Sequence, residues 1–414
     1  MRVGYKMTEV GEIPISWNIS KLGEICDVRD GTHDSPVYFE TGIPFVTSKN
    51  LSETKLDFTD IKYISIENHI AFSRRSHVEN GDILFGMIGT IGYPIIVNED
   101  FEFSIKNVAL IKFKDNKKLH NVYALNILKS SIVLEQFKKV SNGGVLNFVG
   151  LGNIRNLSYP VPPLSEQQKI AEILTTVDDK IDVINTQIIQ TQELKKGLMQ
   201  QLLTRGIGHT KFKDSVLGEI PESWEVIKIL DIGNVVTGNT PKTSEKHFYT
   251  DKGFSLASPA DLGKKKYISS TIKQLTKIGF EQTRKLPSKA ILVTCIGSTI
   301  GKIGMAKIPI ATNQQINSIV CNDKNEPEYF YYVMESMAST IKSLAGTQAV
   351  PLLNKSDFSA ISIIRPPIIE QKKIAEILSS IDEKLDILET KRDTFTELKK
   401  GLMQQLLTGK IRIK

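Results

Sequence analysis

The segment Gly11-Glu-Ile-Pro-Ile-Ser-Trp17 returns as Gly218-Glu-Ile-Pro-Glu-Ser-Trp224, an offset of 207 residues (218 − 11). The only two tryptophans of the chain lie in these two copies. A longer match follows at an offset of 204 (366 − 162), where Pro162-Pro163 to Thr204 aligns with Pro366-Pro367 to Thr408. Of its 43 positions 26 are identical, including the unbroken runs Lys169–Leu174 and Glu193–Thr204. Such self-similarity dictates the architecture before any residue is assigned a structure. The chain reads as variable, constant, variable, constant, with boundaries at 1–161, 162–205, 206–365 and 366–414. A chain duplicated in this way carries pseudo-twofold symmetry, with two similar partner-binding faces and two dissimilar reading faces.

In the first constant segment the apolar residues Ile170, Leu174, Val177, Ile181, Ile184 and Ile188 alternate in steps of four and three, a heptad seam. The second gives Ile374, Leu378, Ile381, Leu385 and Leu388, then polar Arg392, Phe395 and Leu402. A proline pair just upstream suits a helix entry, and Glu166 or Glu370 meets the positive end of the helix dipole. Gly197 and Gly401 interrupt the pattern at a cost of about 1 kcal/mol each, and their identity in both copies suggests close packing there. Helices of roughly 39 residues would extend about 58 Å. Two matched seams predict an antiparallel coiled-coil pair that acts as a spacer.

The variable segments carry short β-branched and aromatic runs between turn signals: Ile43–Thr47, Ile83–Phe85, Val108–Phe113, Ala290–Thr294 and Ile316–Cys321. Helical stretches at Val122–Phe137 and Glu328–Leu344 complete two mixed α/β domains, α/β (α+β) in class. Loops rich in Gly, Ser, Thr, Asn and Lys recur at corresponding places, and such side chains and amides suit phosphates and base edges as well as solvent. The candidates are Gly31, Thr32 and His33, answered by Gly238, Asn239 and Thr240; Ser48, Lys49 and Asn50; and Gly89 and Thr90, answered by Gly297, Ser298, Thr299 and Lys302. Asn142 and Gln348 sit just before the constant segments. Asn313, Gln314 and Gln315 offer bidentate amides of the kind that read adenine.

Net charge is +7, and its distribution is uneven: residues 206–365 hold 20 basic against 14 acidic side chains, whereas residues 1–161 hold 18 of each. The densest basic spots, Lys264, Lys265 and Lys266 in the second domain and Arg74 and Arg75 in the first, suit phosphate neutralisation and a salt-dependent affinity. Three cysteines far apart in sequence form neither a CxxC pair nor a disulfide framework. A polar start without an apolar core predicts a cytoplasmic protein.

Catalytic signatures are missing. Gly297-Ser-Thr-Ile-Gly-Lys302 has one residue too few for a phosphate-binding loop and Ile303 where a magnesium-binding hydroxyl belongs. The six histidines have no ligand spacing, so no metal is expected, and no carboxylate pair in either variable domain is placed for acid/base work. The chain on its own is therefore read as noncatalytic. A DNA-reading adaptor and a structural coiled-coil scaffold that binds proteins both fit this pattern.

The repeated Gly-Glu-Ile-Pro-x-Ser-Trp, the Ile-Gly-Ser-Thr-Ile-Gly-Lys loop at 296–302, Thr-Asn-Gln-Gln at 312–315 and Pro-Pro-x-x-Glu-Gln-x-Lys-Ile-Ala-Glu-Ile-Leu before each long helix favour the first, with the scaffold as the alternative. Over essentially its whole length the chain resembles the DNA-specificity subunit of type I restriction-modification systems. The resemblance implies two target recognition domains, each reading one half of a bipartite, asymmetric DNA site, and helices that set the unread gap. It implies two modification subunits using S-adenosylmethionine to methylate adenine, and two restriction subunits using ATP and magnesium. None of these cofactors is expected on this chain. The first half departs from the family pattern, with Ser104-Ile-Lys-Asn107 in the place of Thr-Asn-Gln-Gln and Tyr93 after Gly92 where Lys302 follows Gly301.

Overall fold

The computed structural model describes residues 2–52, 55–89, 91–140, 148–346 and 350–413. Two helices dominate it, Leu164–Thr204 with 41 residues and Ile368–Leu406 with 39. The chain divides into two compact units, residues 1–185 with 391–414 and residues 186–390. Each unit therefore takes one variable domain, the beginning of the helix that follows it, and the end of the other helix. No helix among the described residues is long and apolar enough to cross a membrane.

In the first unit the variable domain is closed by its own ends. Asn18–Lys21 pairs antiparallel with Ser158–Val161, which returns the chain to the start of the first long helix. Between them stands an antiparallel four-stranded sheet, β1 (Asp27–Asp30), β5 (Val108–Lys112), β2 (Ile83–Gly86) and β3 (Gly92–Ile96) in that spatial order. A second sheet orders Lys62–Ile64, Ile43–Thr47 and β4 (Ser104–Lys106), the last pair parallel. Helix α1 (Ile66–Ser76) starts where the Ser65 hydroxyl accepts the Asn68 N–H at 3.3 Å. Helices α2 (Asn121–Lys129) and α3 (Ser131–Val140) follow.

The second unit repeats the plan. Glu225–Lys228 pairs antiparallel with Ser362–Arg365. A five-stranded sheet orders β6 (Gly233–Thr237), β10 (Ile316–Cys321), β7 (Ile291–Thr294), β8 (Ile303–Ala306) and Tyr267–Ile268. A smaller sheet orders Tyr249–Thr250, Lys273–Leu275, Phe254–Ala257 and β9 (Ala311–Thr312). Helix α4 (Lys277–Glu281) is capped by Thr276, whose hydroxyl accepts the Gly279 N–H at 3.1 Å; α5 (Pro327–Ser336) and α6 (Ala338–Leu344) complete it.

Each single helix expected at Val122–Phe137 and Glu328–Leu344 is two helices. The break falls at Ser130 in one unit and between Ser336 and Ala338 in the other. At each break a serine hydroxyl takes a backbone acceptor: Ser130 Oγ donates to the Ile127 carbonyl at 2.7 Å, and Ser336 Oγ to the Val333 carbonyl at 2.8 Å, although the same bond from Ser380 Oγ to the Ile377 carbonyl leaves the second long helix unbroken. A side chain that takes a backbone acceptor competes with the helical ladder.

The ends of the heptad seams nearest each domain are buried, whereas Ile181, Ile381, Leu385, Phe395 and Leu402 are half-buried. Ile170 and Leu174 enter the core of the first unit together with Leu406 and Leu407 from the far end of the second long helix. Ile374 and Leu378 enter the core of the second unit with Leu202 and Leu203. The pairing is antiparallel: Lys399 meets Asp178 at 2.6 Å within the first unit, and Lys195 meets Asp382 at 2.9 Å within the second. The two ion pairs are the same pair under the 204-residue repeat. Gly197 and Gly401 contradict the close packing expected of them, since a Cβ at either would meet nothing within 4 Å.

The repeated motifs find their reason at the start of each long helix. Trp17, fully buried, donates its indole N–H to Glu166 Oε2 at 3.1 Å, and Trp224 donates to Glu370 Oε2 at 2.9 Å. Glu166 also holds the Arg412 guanidinium at 2.7 and 2.9 Å; Glu370 instead accepts the Ile207 N–H at 2.9 Å and faces His209 Nε2 at 2.8 Å. The next residue in each motif serves the domain helix: Gln167 Oε1 accepts the backbone N–H of His120, the N-cap of α2, at 2.8 Å. Gln371 Oε1 does the same for Glu326, the N-cap of α5, at 2.8 Å.

Candidate nucleic-acid interface

Some of the predicted loops meet at a junction in each unit, between the end of the first sheet strand and the turn that precedes its antiparallel neighbour. In the first unit the junction begins at Gly31, directly after β1. A Cβ there would stand 2.3 Å from the Ile105 carbonyl oxygen, so only glycine lets the strand end lie against the backbone of β4. Thr32 continues the approach, its N–H donating to Ile105 O at 3.1 Å. His33 then bridges two elements, with Nε2 3.0 Å from Asp30 Oδ2 and Nδ1 2.6 Å from Asn107 Oδ1. Asn107 sits in the turn between β4 and β5 at φ 52°.

The second unit builds the same junction from other side chains. At Gly238, directly after β6, a Cβ would stand 2.3 Å from the carbonyl oxygens of Thr312 and Asn313. Thr240 Oγ1 donates to Gln314 Oε1 at 2.9 Å, the counterpart of the His33 to Asn107 bridge. Asn239 is held by Gln282 and Arg284, donating to the Gln282 carbonyl at 2.8 Å and accepting the Arg284 N–H at 2.8 Å. Asn313 Nδ2 donates to Gln315 Oε1 at 3.0 Å, and Gln315 Nε2 approaches the Ile296 carbonyl at 3.4 Å. Gly297, at φ +92°, has Gln315 Nε2 3.5 Å from where its Cβ would be. The loops 238–240, 296–299 and 313–315 are thus contiguous, and Gln314 and Ser298 are exposed on them.

Several predicted contacts are committed to the fold. Ser48 and Asn50 are buried: Ser48 Oγ donates to the Asn107 carbonyl at 3.2 Å. Asn50 ties Thr47 to the Asp57 carbonyl, at 2.9 and 3.0 Å. Of that trio only Lys49 is exposed. The triple lysine divides in the same way. Lys264 and Lys265 are exposed, but the Lys266 side chain is 8% accessible and pairs with Glu328. Its ammonium donates to Tyr332 Oη at 3.0 Å and Ser379 Oγ at 2.9 Å and lies 4.5 Å from the Tyr332 ring centroid. A buried ammonium needs such partners, and having them it is withdrawn from a phosphate. Lys302 turns toward Pro259 O at 3.5 Å and packs beside Gly263, away from the amide cluster. Thr299 is half-buried in its turn, where its carbonyl accepts the Lys302 N–H at 3.2 Å.

Arg74 and Arg75 are exposed at the end of α1, and Gly89 is exposed at φ +70°. Thr90, Asn142 and Gln348 lie outside the described residues. Asp30, Asn107 and Arg284 are not among the candidate contacts read from the sequence, yet each bonds directly into a junction. The signal available for Asn107 was its place opposite Gln315 in the repeat; Arg284, in a Thr-Arg-Lys run, had the composition of a solvated turn.

Burial pushes the thiols of Cys26 and Cys321 up to about 12 and that of Cys295 up to about 11, so all three remain protonated at neutral pH. Among the described residues no three His, Cys, Asp or Glu side chains are grouped to hold a metal ion. The chemistry the junctions offer is hydrogen bonding from amides, hydroxyls and guanidinium groups on a rigid frame.

The family model for the type I restriction modification DNA specificity domain matches residues 14–193 and again 221–397. The chain belongs to this family of DNA specificity subunits. A protein of Methanocaldococcus jannaschii assigned as the MjaX type I restriction enzyme specificity subunit is 30% identical, covering 99% of this chain and 97% of that one. The HindI specificity subunit of Haemophilus influenzae is 26% identical over 95% of this chain and 99% of its own. Among solved structures, the type I restriction-modification S subunit from M. genitalium superposes with a TM-score of 0.62 at 16% identity, covering 98% of this chain and 99% of that one. This last likeness is one of fold. The specificity domain thus occurs twice in the chain, each copy running into one of the two long helices.

Proposed function

We propose that this specificity subunit reads a bipartite, asymmetric DNA site, one half with each variable domain. It directs adenine methylation and restriction by partner subunits while performing no chemistry itself. The single observation that carries the proposal is the pair of junctions. Gly31 and Gly238 hold the same backbone geometry in both units, yet the side chains mounted there differ: His33 with Asn107 in one, Thr240 with Gln314 in the other. A duplicated frame with divergent exposed donors and acceptors suits two different half-sites, because sequence is read by hydrogen bonds to base edges.

The segments kept nearly identical, Lys169–Leu174 with Glu193–Thr204 and their counterparts, would each receive one modification subunit, two in all, and through them two restriction subunits. S-adenosylmethionine, ATP and magnesium would belong to those partners. The complex would work in the cytoplasm, where the DNA is.

The test is genome-wide mapping of methylated adenine in the native cell with this gene intact and deleted. The expected result is a two-part asymmetric motif that vanishes on deletion. Absence of any deletion-dependent motif while the modification subunit is expressed overturns the proposal. A purified complex without salt-sensitive DNA affinity would also overturn it, and would point to a protein scaffold.

A further inference from the structure

Both units hold an arginine against the residue that precedes the close-packed glycine. In the first unit Arg75, at the end of α1, donates from Nη2 to Oδ1 of buried Asp30, immediately before Gly31. In the second, Arg284, after α4, donates from Nη1 to the carbonyl oxygen of Thr237 at 2.7 Å, immediately before Gly238. The two helices that deliver these arginines begin alike, each with a hydroxyl cap at Ser65 or Thr276. The acceptors differ, a carboxylate in one domain and a peptide carbonyl in the other. The position and the guanidinium are the same.

Each guanidinium is held from one side and open on the other. The Arg75 side chain is 62% accessible despite its ion pair, and Arg284 is exposed. One nitrogen of each fork is spent on the domain, which leaves the remaining N–H donors directed to solvent. A guanidinium anchored in this way surrenders little conformational freedom on binding, and its planar fork matches two acceptors side by side. In the major groove guanine presents such a pair, O6 and N7. A phosphate needs only charge, which lysine supplies equally, and neither side chain needs a backing acceptor for that.

We infer that Arg75 and Arg284 are base-reading residues, each recognising a guanine in the half-site of its own domain. This rests on the DNA-reading function proposed above and specifies part of its substrate. Arg75 reads with a fork whose tilt is fixed by Asp30, the same carboxylate that orients His33. Arg284 reads with a fork fixed by the strand end, next to the Asn239 and Thr240 loop. Arg74, Lys49, Lys264 and Lys265 are then left for the phosphate backbone.

The experiment maps methylated adenine in cells in which the gene is replaced by Arg75→Lys, Arg284→Lys or the corresponding alanine variants. It is paired with duplex binding by the purified complex of full chain and modification subunits at two salt concentrations. The lysine variants keep the charge and a bond to Asp30 or Thr237, so they test the fork without unpairing the buried carboxylate. The expected result is that Arg75→Lys relaxes one guanine position in one half-site and Arg284→Lys one in the other. Each loses about tenfold in discrimination at that position and leaves the opposite half-site unchanged.

A wild-type motif lacking guanine in either half overturns the inference. So does an unchanged motif in the lysine variants, with alanine variants that merely weaken binding to all sequences and lower the salt slope, which would mark phosphate contacts. Both results leave the gene-dependent motif standing, whereas failure of the underlying function would remove the motif from wild-type cells as well. A melting curve for each variant identifies any loss that comes from unfolding.

Discussion

Glu166 and Glu370 each accept an indole N–H and further donors at the first turn of a long helix, so the motifs that recur in the sequence recur because they bond to each other. Lys266 shows the opposite relation between sequence and role. In a run of three lysines nothing distinguishes the third, yet its stem enters the protein and its charge is matched by Glu328. Burial is a property of the tertiary surroundings, and no local spacing announces it. Removing one partner of a buried ion pair leaves the other charge uncompensated, so Lys266→Ala is expected to cost about 3 kcal/mol. Lys264→Ala with Lys265→Ala, both exposed, should leave the melting temperature unchanged and lower the salt dependence of DNA binding. Thermal melts of the two variants check this; equal stability would show that the Lys266 network contributes nothing. Arg284 and Asn107 were not among the candidate contacts for a related reason, since their partners Thr237 and His33 lie 47 and 74 residues away.

At the scale of elements, the long helices could be read from their heptad spacing, which the internal repeat gave twice, and several strands from β-branched and aromatic runs between turn signals. Ile43–Thr47 and Ile316–Cys321 are strands with the expected ends. The breaks after α2 and α5 could not be read in this way, because the apolar pattern runs on through them. The glycines of the long helices invert the expectation drawn from their repetition. Gly197 and Gly401 face open space within the chain, so the fold itself gains nothing from them. An interior helical glycine costs about 1 kcal/mol relative to alanine through backbone entropy. Gly197→Ala and Gly401→Ala should therefore each stabilise the isolated subunit by about that amount, raising its melting temperature by about 2–4 °C. A lower melting temperature for either variant would show that the residue has packing partners in solution.

At the scale of the whole molecule, the two ion pairs Asp178 with Lys399 and Lys195 with Asp382 fix how the helices can be altered. Each pair lies within one unit, and the residues that separate one pair from the other along each helix, 179–194 on the first and 383–398 on the second, are matched in number. A heptad inserted into only one of these stretches would leave the two unequal in length. A heptad inserted into both preserves the seam, which repeats every seven residues, and preserves both pairs. Seven residues of helix add about 10 Å, close to three base pairs at about 3.4 Å each. If the long helices set the separation of the half-sites, the doubly extended subunit methylates a motif whose two specified halves are unchanged while the gap between them grows by about three base pairs. Two sites read from one face of B-DNA prefer spacings near a helical turn, so the longer gap should also bind more weakly. Mapping methylated adenine in cells carrying the double insertion measures halves and gap together. An unchanged gap would mean that the recognition domains, and not the helices, determine where on the DNA each half-site is met.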